Sequence, residues 1–477
     1  MTSDFNPEIF REYDIRGIAD RDLVDPVIEN LGRAFAEYLR PFNVSNVAIG
    51  YDARLSSPRL RDALSRGLMA SGMNVVDIGL CPTPGLYFSL YHLKPGAGIM
   101  ITGSHNPSEF NGFKLCVGKD TIYGEEIQKL RGIMAALQSP TASGGSSSST
   151  GAITKHPIIP DYVNHLKSLF RDLHEVPLRV VLDSGNGTAG LAAPDVIRSM
   201  GCEVVDLFSE PDGRFPNHHP DPTIPKNLES LISTVAKERA DLGIAFDGDA
   251  DRIGVVDETG TVLWGDQLMV LFSRDILSDR PGATFVSEVK CSQTMYDDIR
   301  SRGGRAIMWK TGHSLIKAKM KEAGAALAGE MSGHIFFADR YFGYDDAIYA
   351  ACRIVELLKK NRRQQGSKVT VGSLITGLPR TCNTPEIRFD CPDALKFQVV
   401  DRVKDLYARP AQISLPVREV ITVDGVRAVF EQGWGLIRAS NTQPVLVMRF
   451  EAVDPASLQA IRSLMEEQVR TALAGLR

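Results

Sequence analysis

The sequence has few cysteines and no Cys-x-x-Cys pair. It contains 7 cysteines, at positions 81, 116, 202, 291, 352, 382 and 391. An odd number without close pairs fits neither a disulfide framework nor a zinc site built from thiolates. We therefore expect free, buried thiols.

Long apolar runs are also missing. No run of about 18 apolar residues, the length that a membrane-spanning helix needs, occurs in the chain. The first residues, MTSDFNPEIF, lack the basic segment and the apolar core of a signal peptide. We therefore expect a cytoplasmic protein without a membrane partner.

Neither sign of charge dominates. The 54 basic and 58 acidic side chains give a net charge of −4, which predicts no broad attraction to nucleic acid, although local basic patches for small phosphates are compatible with it. With 477 residues, 43% of them hydrophobic, the chain is globular and too long for one core. We expect several domains.

Strand-like and helix-like patterns alternate along most of the chain, which is typical of α/β domains. We predict such domains at residues 1–156, 157–260 and 261–370, with a flexible linker in the serine-rich run from Ser139 to Gly151. Residues 371–477 read as an α+β domain, with antiparallel strands around TPEIRFD and from Ile421 to Gly425 and two amphipathic helices.

One polar loop lies between two predicted buried strands, 98–101 and 113–117, and reads Thr-Gly-Ser-His-Asn-Pro. Gly103 permits backbone angles closed to other residues, Asn106 and Pro107 favour a turn, and Ser104 stands at the tip beside His105. A hydroxyl on a rigid tip is suited to covalent group transfer. An ordinary hairpin with a turn serine is the alternative from these residues alone.

A second loop carries three carboxylates at alternate positions, Asp247, Asp249 and Asp251. Such carboxylates repel one another unless a cation lies between them, so we predict a metal site, with a solvated loop as the alternative. A calcium EF-hand fails because Arg252 stands where glycine is required and strands flank the loop. The loop also departs from a haloacid-dehalogenase type phosphatase, whose Asp-x-Asp motif continues with Thr or Ser where this chain has Ala250.

The run RVVLDSGNGTAG has the glycine spacing of a dinucleotide-binding fingerprint, at Gly185, Gly187 and Gly190. However, Asp183 ends the preceding strand, where it would face a pyrophosphate. We therefore interpret these glycines as a tight turn from a strand to a helix, without a bound nucleotide.

Two further loops carry groups that can bind a sugar phosphate. Glu330, Ser332 and His334 could read sugar hydroxyls, although a polar turn would look the same. The chain also presents a guanidinium, two hydroxyls and an amide between two apolar runs, which suits a dianionic phosphate. These residues are Arg438, Ser440, Asn441 and Thr442.

Several of these motifs resemble those of the α-D-phosphohexomutases, and most closely their bacterial phosphomannomutase/phosphoglucomutase branch. The matching stretches, in family order, are FREYDIRG, TGSHNP with NGFK, DGDADR, GEMSGH and RASNTQPVLVMRFEA. The resemblance implies three similar α/β domains with mixed sheets and a C-terminal α+β domain like the TATA-box-binding protein, around a central cleft. It also implies that Ser104 carries a phosphoryl group, with Mg²⁺ bound to an oxygen of the phosphoserine and to Asp247, Asp249 and Asp251.

The resemblance assigns roles to other residues. Tyr13 and Arg16 help to hold the substrate phosphate, Arg252 lies near the phosphoserine, and Glu330 and Ser332 bind sugar hydroxyls. A second phosphate is clamped by Arg438, Ser440, Asn441 and Thr442. Candidate substrate contacts in loops that could equally be surface turns are Lys290, Gly312 and His313. The candidates for proton transfer, which the sequence does not rank, are His105, Lys114 and His334.

The predicted function is a phosphohexomutase of the isomerase class. It would interconvert the 1-phosphate and 6-phosphate of mannose, glucose or both through a phosphoserine enzyme and a hexose 1,6-bisphosphate, which also serves as activator. We expect a monomer. The alternatives are a phosphoglucosamine mutase, a magnesium-dependent sugar-phosphate phosphatase and a non-catalytic sugar-phosphate sensor. One departure from the branch is Ala250, where a glycine is common.

Overall fold

The computed structural model describes residues 5–137, 150–171, 175–409, 413–440 and 443–476. Most of the predicted serine-rich linker lies outside the described residues, as do Asn441 and Thr442. The chain forms two compact units, Met1–Asp275 with Ser332–Ile375, and Ile276–Met331 with Thr376–Arg477. The four domain boundaries stay predictions, and the predicted third domain contributes to both units.

The first unit begins with a seven-stranded mixed sheet in the order β1-β5-β4-β2-β3-β7, with β6 on β5. Neighbours among β4, β2, β3 and β7 are parallel, whereas β5 is antiparallel to β1, β4 and β6. The strands are β1 (Ile15–Ile18), β2 (Asn46–Tyr51), β3 (Asn74–Leu80), β4 (Gly96–Ile101), β5 (Phe110–Val117), β6 (Asp120–Thr121) and β7 (Ile153–Lys155). Their helices are α1 (Asp25–Leu39), α2 (Ser57–Ala70), α3 (Thr83–His92) and α4 (Glu125–Leu137).

Helices α1 and α2 cross closely in this sheet's core. A Cβ at Gly67 would lie 2.0 Å from the carbonyl oxygen of Glu29, and one at Gly32 would lie 2.5 Å from that of Leu64. Glycine is therefore required where the two backbones meet. Around the crossing, Phe35 and Ile99 are fully buried, so the core fixes the strands from which the serine loop emerges.

A second mixed sheet in the same unit has the order β12-β11-β10-β8-β9. β10, β8 and β9 are parallel neighbours, and β11 and β12 are added antiparallel. The elements are α5 (Ile159–Leu169), β8 (Leu178–Asp183), α6 (Ala193–Ser199), β9 (Cys202–Leu207), α7 (Glu229–Glu238), β10 (Leu242–Phe246), β11 (Ile253–Asp257) and β12 (Val262–Leu263). The turn from β10 into β11 carries the three aspartates.

The chain passes into the second unit within α8 (Gly265–Asp279). Three parallel strands follow in the spatial order β14-β13-β15. These elements are β13 (Thr284–Glu288), α9 (Gln293–Ser301), β14 (Arg305–Trp309), α10 (His313–Ala323) and β15 (Leu327–Gly329). The chain then returns to the first unit for β16 (Ile335–Phe337), α11 (Ala347–Gln365) and α12 (Val371–Leu374).

The second unit is completed by an antiparallel sheet in the order β17-β22-β21-β20-β19, with β18 also on β22. Its elements are β17 (Cys382–Asn383), β18 (Ile387–Asp390), α13 (Lys396–Tyr407), β19 (Val417–Ile421), β20 (Val426–Phe430), β21 (Gly433–Ala439), β22 (Val445–Ala452) and α14 (Pro455–Ala474). Val403, Met465 and Val469 pack from the helices into one core with the sheet. The predicted alternation from Ile421 to Gly425 is wrong: β19 ends at Ile421, and Gly425, with φ +82°, belongs to the turn before β20.

All 7 cysteines are free thiols, and 6 of them are buried, as predicted. Within the described residues, no helix is both long enough and apolar enough to cross a membrane.

Candidate active site

Ser104 lies in the turn between β4 and β5, and its backbone adopts a left-handed conformation with φ +48°. The expectation that Gly103 would supply the unusual angles is wrong, because Gly103 has no positive φ. Gly103 is needed for space instead, since a Cβ there would lie 2.3 Å from Nε of Arg54. The left-handed conformation therefore falls on the serine itself, where L-residues are disfavoured.

The Ser104 hydroxyl is 3% exposed and has two polar partners. Its Oγ donates to Oδ2 of Asp247 over 2.7 Å and lies 3.1 Å from Nδ1 of His105. The Ser104 backbone N–H donates to Oγ1 of Thr102. The Ser104 hydroxyl therefore lies within hydrogen-bonding distance of both an imidazole and a carboxylate, an arrangement that suits covalent group transfer.

Asp247, Asp249 and Asp251, which we call the aspartate cluster, are completely buried at the end of β10. Each offers a carboxylate oxygen, and these oxygens lie within 4.8 Å of one another. In the part of the chain that the structure describes, Oδ1 of Asp249 and Oδ1 of Asp251 are buried without a hydrogen-bond partner. Buried oxygens in this state are costly, and a hard divalent cation is the ligand that fits them.

Charge in the aspartate cluster is only partly balanced. Lys114, on β5, donates to Oδ2 of Asp249 over 2.9 Å and to Oδ2 of Asp251. Burial raises the pKa of Asp247 well above its ordinary value, and the two neighbouring carboxylates add to the shift. Burial also acts to raise the pKa of Asp249, but Lys114 outweighs it and holds that pKa below the usual range. Lys114 thus pairs with two of the three carboxylates, whereas at Asp247 the charge of Arg252 does not offset burial and the neighbouring carboxylates.

The glycine turn after β8 packs against the loop that carries the aspartate cluster. We interpret it as a structural turn without a bound nucleotide. A Cβ at Gly187 would lie 2.7 Å from the carbonyl oxygen of Gly248, which accepts a hydrogen bond from the backbone of Thr188 over 3.0 Å. Asp183 contacts His218 at 2.9 Å and accepts from the Gly185 backbone. The tight strand-to-helix turn inferred from the sequence is present, and it backs the aspartate cluster.

His334 connects Arg252 to two buried carboxylates. Nε of Arg252 donates to Nε2 of His334 over 3.0 Å, and Nδ1 of His334 lies 3.1 Å from Asp345 and 3.6 Å from Asp251. Because Nε2 accepts from a guanidinium, the neutral ring carries its proton on Nδ1, which faces Asp345. His334 is thus held beside the aspartate cluster by Arg252 and Asp345.

His105 differs from His334 in its surroundings. Burial and the positive charges of Arg252 and Arg16 hold the pKa of His105 well below its ordinary value. The imidazole is therefore neutral near pH 7 and can accept a proton. Lys114 is the opposite case, since Asp249 and Asp251 raise its pKa against the effect of burial.

Arg16 lies on β1, opposite Gly112 of β5, and its Nη2 donates to Asp14 over 2.5 Å. After burial and Arg252, the positive charge of Arg16 contributes to the lowered pKa of His105 in the serine loop. Tyr13 precedes β1 and is partly exposed. Substrate-binding roles for both stay predictions.

The second unit contains its own polar cluster, built on Glu288, Glu330 and Asp424, which we call the loop cluster. Glu288 is fully buried at the end of β13, accepts from Oγ1 of Thr311 over 2.6 Å and from the Met331 backbone over 2.9 Å, and lies 3.6 Å from Nζ of Lys290. Lys290 also donates to Glu386 over 3.2 Å. These carboxylates raise the pKa of Lys290 although burial opposes them.

The other two acids of the loop cluster hold further loops. Glu330 accepts from the backbone of Gly312 over 2.7 Å. Asp424 accepts from the Thr311 backbone over 3.0 Å and from Nε of Arg438 over 2.9 Å. The second unit thus brings together four of the predicted residues or their loops: Lys290, Gly312, Glu330 and Arg438.

The remaining predicted residues have simpler positions. His313 is the first residue of α10 and is 9% exposed. Ser440 is 7% exposed, and its Oγ accepts from the Gln443 backbone over 3.2 Å. Ser332 is partly exposed and belongs to the first unit, whereas Glu330 belongs to the second.

Sequence reasoning missed several residues that support the predicted ones. They are Asp52, Arg54, Thr83, Glu288, Thr311, Asp345 and Asp424. Two of them had a visible signal, because Asp52 and Arg54 come just after a buried strand, as Asp247 does. The others contact the site through residues distant in the chain, and no local pattern marks them.

Four family models of phosphoglucomutase/phosphomannomutase match the chain in order. They cover α/β/α domain I at residues 7–140, domain II at 160–260, domain III at 264–375 and the C-terminal domain at 386–468. The sequence resemblance to this family and the predicted four-domain fold are thereby confirmed.

Individual relatives agree with the family models. A phosphomannomutase/phosphoglucomutase of Pseudomonas putida is 44% identical over 463 residues, which are 97% of this chain and 95% of the relative. A phosphoglucomutase of Neisseria meningitidis serogroup A is 41% identical over 457 residues, 96% of this chain and 95% of that one. A crystal structure of a phosphoglucomutase/phosphomannomutase family protein from Burkholderia thailandensis superposes with a TM-score of 0.88 at 38% identity, covering 98% of each chain. The chain therefore belongs to the phosphoglucomutase/phosphomannomutase family of phosphohexomutase enzymes.

Proposed function

We propose that the protein interconverts the 1-phosphate and 6-phosphate of mannose, glucose or both, with Ser104 as the phosphoryl carrier. The observation that carries this proposal is the Ser104 hydroxyl, 2.7 Å from Asp247 inside a buried cluster of three carboxylates. A simple hydrolase needs no stored phosphoryl group, whereas a mutase does. The name of the Pseudomonas relative supports both sugars, and that of the Neisseria relative supports glucose.

The aspartate cluster would bind Mg²⁺ together with an oxygen of phosphorylated Ser104. The unpartnered carboxylate oxygens of Asp249 and Asp251 support this assignment. A bound Mg²⁺ would supply positive charge to the transferred phosphoryl group and orient it for in-line transfer. Lys114 and Arg252 add positive charge beside the cluster, and the backbone N–H groups of Asp251 and Arg252 fix Asp247 by donating to its Oδ1 over 3.1 Å.

Proton transfer at Ser104 falls to His105 in this scheme. Its Nδ1 lies 3.1 Å from Oγ of Ser104, and its lowered pKa leaves the ring able to accept a proton. Lys114 holds its proton too tightly between two aspartates to act as a base. The Nε2 lone pair of His334 is engaged by Arg252, so His334 would act on a sugar hydroxyl only if that contact opened.

The loop cluster would support the far end of the substrate. Asp424 orients the Arg438 guanidinium, which would clamp the non-reacting phosphate with Ser440, Asn441 and Thr442. Glu330 and Ser332 would bind vicinal hydroxyls, with Lys290, Gly312 and His313 as further contacts. Tyr13 and Arg16 would contact the phosphate next to Ser104.

In the proposed cycle, phosphorylated Ser104 donates its phosphoryl group to the free hydroxyl of the bound hexose monophosphate. The P–O bond to Ser104 breaks, the P–O bond to the sugar forms, and the proton of the sugar hydroxyl passes to the protein. The resulting 1,6-bisphosphate turns over and returns its other phosphoryl group to Ser104. A monomeric, cytoplasmic enzyme remains our expectation.

The test is an isomerisation assay with the 1-phosphates of mannose, glucose and glucosamine, on protein first freed of phosphate. Adding a trace of hexose 1,6-bisphosphate should start turnover of the mannose and glucose compounds. Preferred turnover of the glucosamine compound would instead indicate a phosphoglucosamine mutase. Steady release of inorganic phosphate without isomerisation would indicate a phosphatase and contradict the proposal.

A further inference from the structure

Arg54 is the most completely enclosed basic side chain beside the serine loop in the described part of the first unit. The residue is 1% exposed, and its guanidinium donates to four backbone carbonyls of the loop and of the strand that follows. The acceptors are Ser104 at 2.8 Å, Asn106 at 2.6 Å, Pro107 at 2.5 Å and Phe110 at 2.9 Å. The Arg54 side chain thus binds carbonyl oxygens on both sides of the turn.

Asp52 completes this arrangement from the other side. Its Oδ2 accepts from Nε of Arg54 over 3.1 Å and from the Gly103 backbone over 3.0 Å, which anchors the residue before Ser104. Its Oδ1 accepts from Oγ of Ser57 over 2.6 Å and from the Arg54 backbone. Asp52 is 2% exposed, so the carboxylate and the guanidinium are buried as a pair.

The serine loop needs such a constraint because Ser104 has a left-handed backbone. A non-glycine residue keeps this conformation only where its surroundings hold it there. In this backbone conformation, Oγ of Ser104 lies 2.7 Å from Oδ2 of Asp247. Arg54 itself contacts neither the hydroxyl nor the aspartate cluster through a hydrogen bond in the described residues.

We propose that Arg54, held by Asp52, is a positioning residue that fixes Ser104 in its left-handed conformation and so aims Oγ at the aspartate cluster. The inference rests on the proposed role of Ser104 as phosphoryl carrier. Its chemistry follows from the guanidinium, which offers several planar N–H donors to converging carbonyls, whereas the single ammonium of lysine cannot satisfy four of them with this geometry.

The first test is Arg54→Lys, assayed for transfer of labelled phosphate from hexose 1,6-bisphosphate to Ser104 in a single turnover. We expect labelling and kcat to fall on the order of 100-fold, as for misplacement of a reacting group, while KM for the sugar phosphate changes little. In Arg54→Ala, millimolar guanidinium should restore part of the labelling rate.

The matched control is Arg353→Lys, because Arg353 is 2% exposed and ion-paired to Asp339 at 3.1 Å but far from the serine loop in the chain. It should lose stability and keep the labelling rate.

A second variant displaces Arg54 without removing it. Gly103→Ala introduces a Cβ that would lie 2.3 Å from Nε and 2.4 Å from Cζ of Arg54. It should slow labelling as Arg54→Lys does. Its control is Gly132→Ala, where a Cβ has no neighbour within 4 Å, and it should label like the unaltered protein.

The outcomes separate the two proposals. If the unaltered protein accepts no phosphate on Ser104, the proposed function fails and this inference fails with it. If the unaltered protein is labelled and both Arg54→Lys and Gly103→Ala are labelled equally fast, only the positioning role is overturned. Should either Arg54 variant fail to fold, equal labelling by Gly103→Ala overturns the inference by itself.

Discussion

The aspartate cluster and the loop cluster use buried carboxylates in opposite ways. In the aspartate cluster, Asp249 and Asp251 each keep one buried oxygen without a hydrogen-bond partner among the described residues. In the loop cluster, Glu288, Glu330 and Asp424 each accept from a backbone N–H group. The first cluster is therefore incomplete without a cation, whereas the second is completed by the protein's own loops.

This difference indicates what each cluster contributes. Burial and then repulsion from Asp249 and Asp251 raise the pKa of Asp247, and a bound cation would offset both effects. The acids of the loop cluster are balanced by Lys290 and Arg438, and they fix the loops that carry these cations. In the proposed mechanism, the aspartate cluster would supply charge through its metal ion, and the loop cluster would hold the loops that bind a polar ligand.

The largest effect on activity should come from removing one hydroxyl beside each cluster, that of Ser104 beside the aspartate cluster and that of Ser440 in the predicted phosphate-binding loop of the second unit. Ser104→Ala removes the phosphoryl carrier itself, so kcat should fall on the order of 10⁶-fold, as for the loss of a catalytic serine, and labelling by the bisphosphate should disappear. Ser440→Ala should mainly raise KM, by about 10-fold or more, because one hydrogen bond to a charged phosphate is lost. Steady-state kinetics of both variants measure the contrast. Equal losses of kcat in the two would contradict the division between reaction and binding.

The second contrast replaces one carboxylate by its amide in each cluster. Asp247→Asn should leave the melting temperature without Mg²⁺ unchanged or higher, because it removes a charge that its neighbours disfavour. Glu288→Gln should cost about 2 kcal/mol, since the buried amide cannot accept from both Thr311 and the Met331 backbone as the carboxylate does, while Lys290 keeps Glu386. Thermal unfolding with and without Mg²⁺ measures both. The stabilisation by Mg²⁺ should disappear only in Asp247→Asn, and its persistence there would remove the aspartate cluster as the metal site.

The third contrast concerns the hydroxyls that orient these acids. Oγ1 of Thr83 donates to Asp249 over 2.5 Å, and Oγ1 of Thr311 donates to Glu288 over 2.6 Å. Thr83→Val should weaken Mg²⁺ binding about 10-fold, the lower end of the range for partners of metal ligands, while Thr311→Val should leave it unchanged. Titration of Mg²⁺ by calorimetry distinguishes them. A similar loss of affinity in both variants would show a general effect of destabilisation.

Ser104 and the aspartate cluster could be singled out from the sequence because each lies in a loop that follows a buried strand, and their roles stay predictions. Ser104 follows β4, and Asp247 follows β10. Alternating carboxylates, a turn serine and the family resemblance are all local signals. The structure brings Lys114 and His334, two of the candidates for proton transfer, next to the aspartate cluster.

The supporting residues could not be predicted in the same way, because their roles depend on tertiary contacts. Arg54 reaches carbonyls 50 to 56 residues away along the chain, and Asp424 reaches Thr311 across 113 residues. The error at Gly103 has the same origin. A glycine next to the serine suggests an unusual backbone conformation at the glycine. Gly103 is instead required because the guanidinium of Arg54 occupies the space that a Cβ would need.

The smallest expected effect concerns Ala250, inside the aspartate cluster. Its φ of +57° is disfavoured for alanine, and its carbonyl accepts from the Ala347 backbone at the start of α11. Ala250→Gly relieves the backbone strain but loses a buried methyl group and makes the unfolded chain more flexible, so the net change in stability should be no larger than about 1 kcal/mol. The control in the second unit is Gly312→Ala, where a φ of +129° is closed to alanine and the bond to Glu330 would be disturbed. Chemical denaturation of both variants measures the difference. A large loss of stability in Ala250→Gly would mean that the methyl group, rather than the hydrogen bonds of the loop, maintains the separation of the three aspartates.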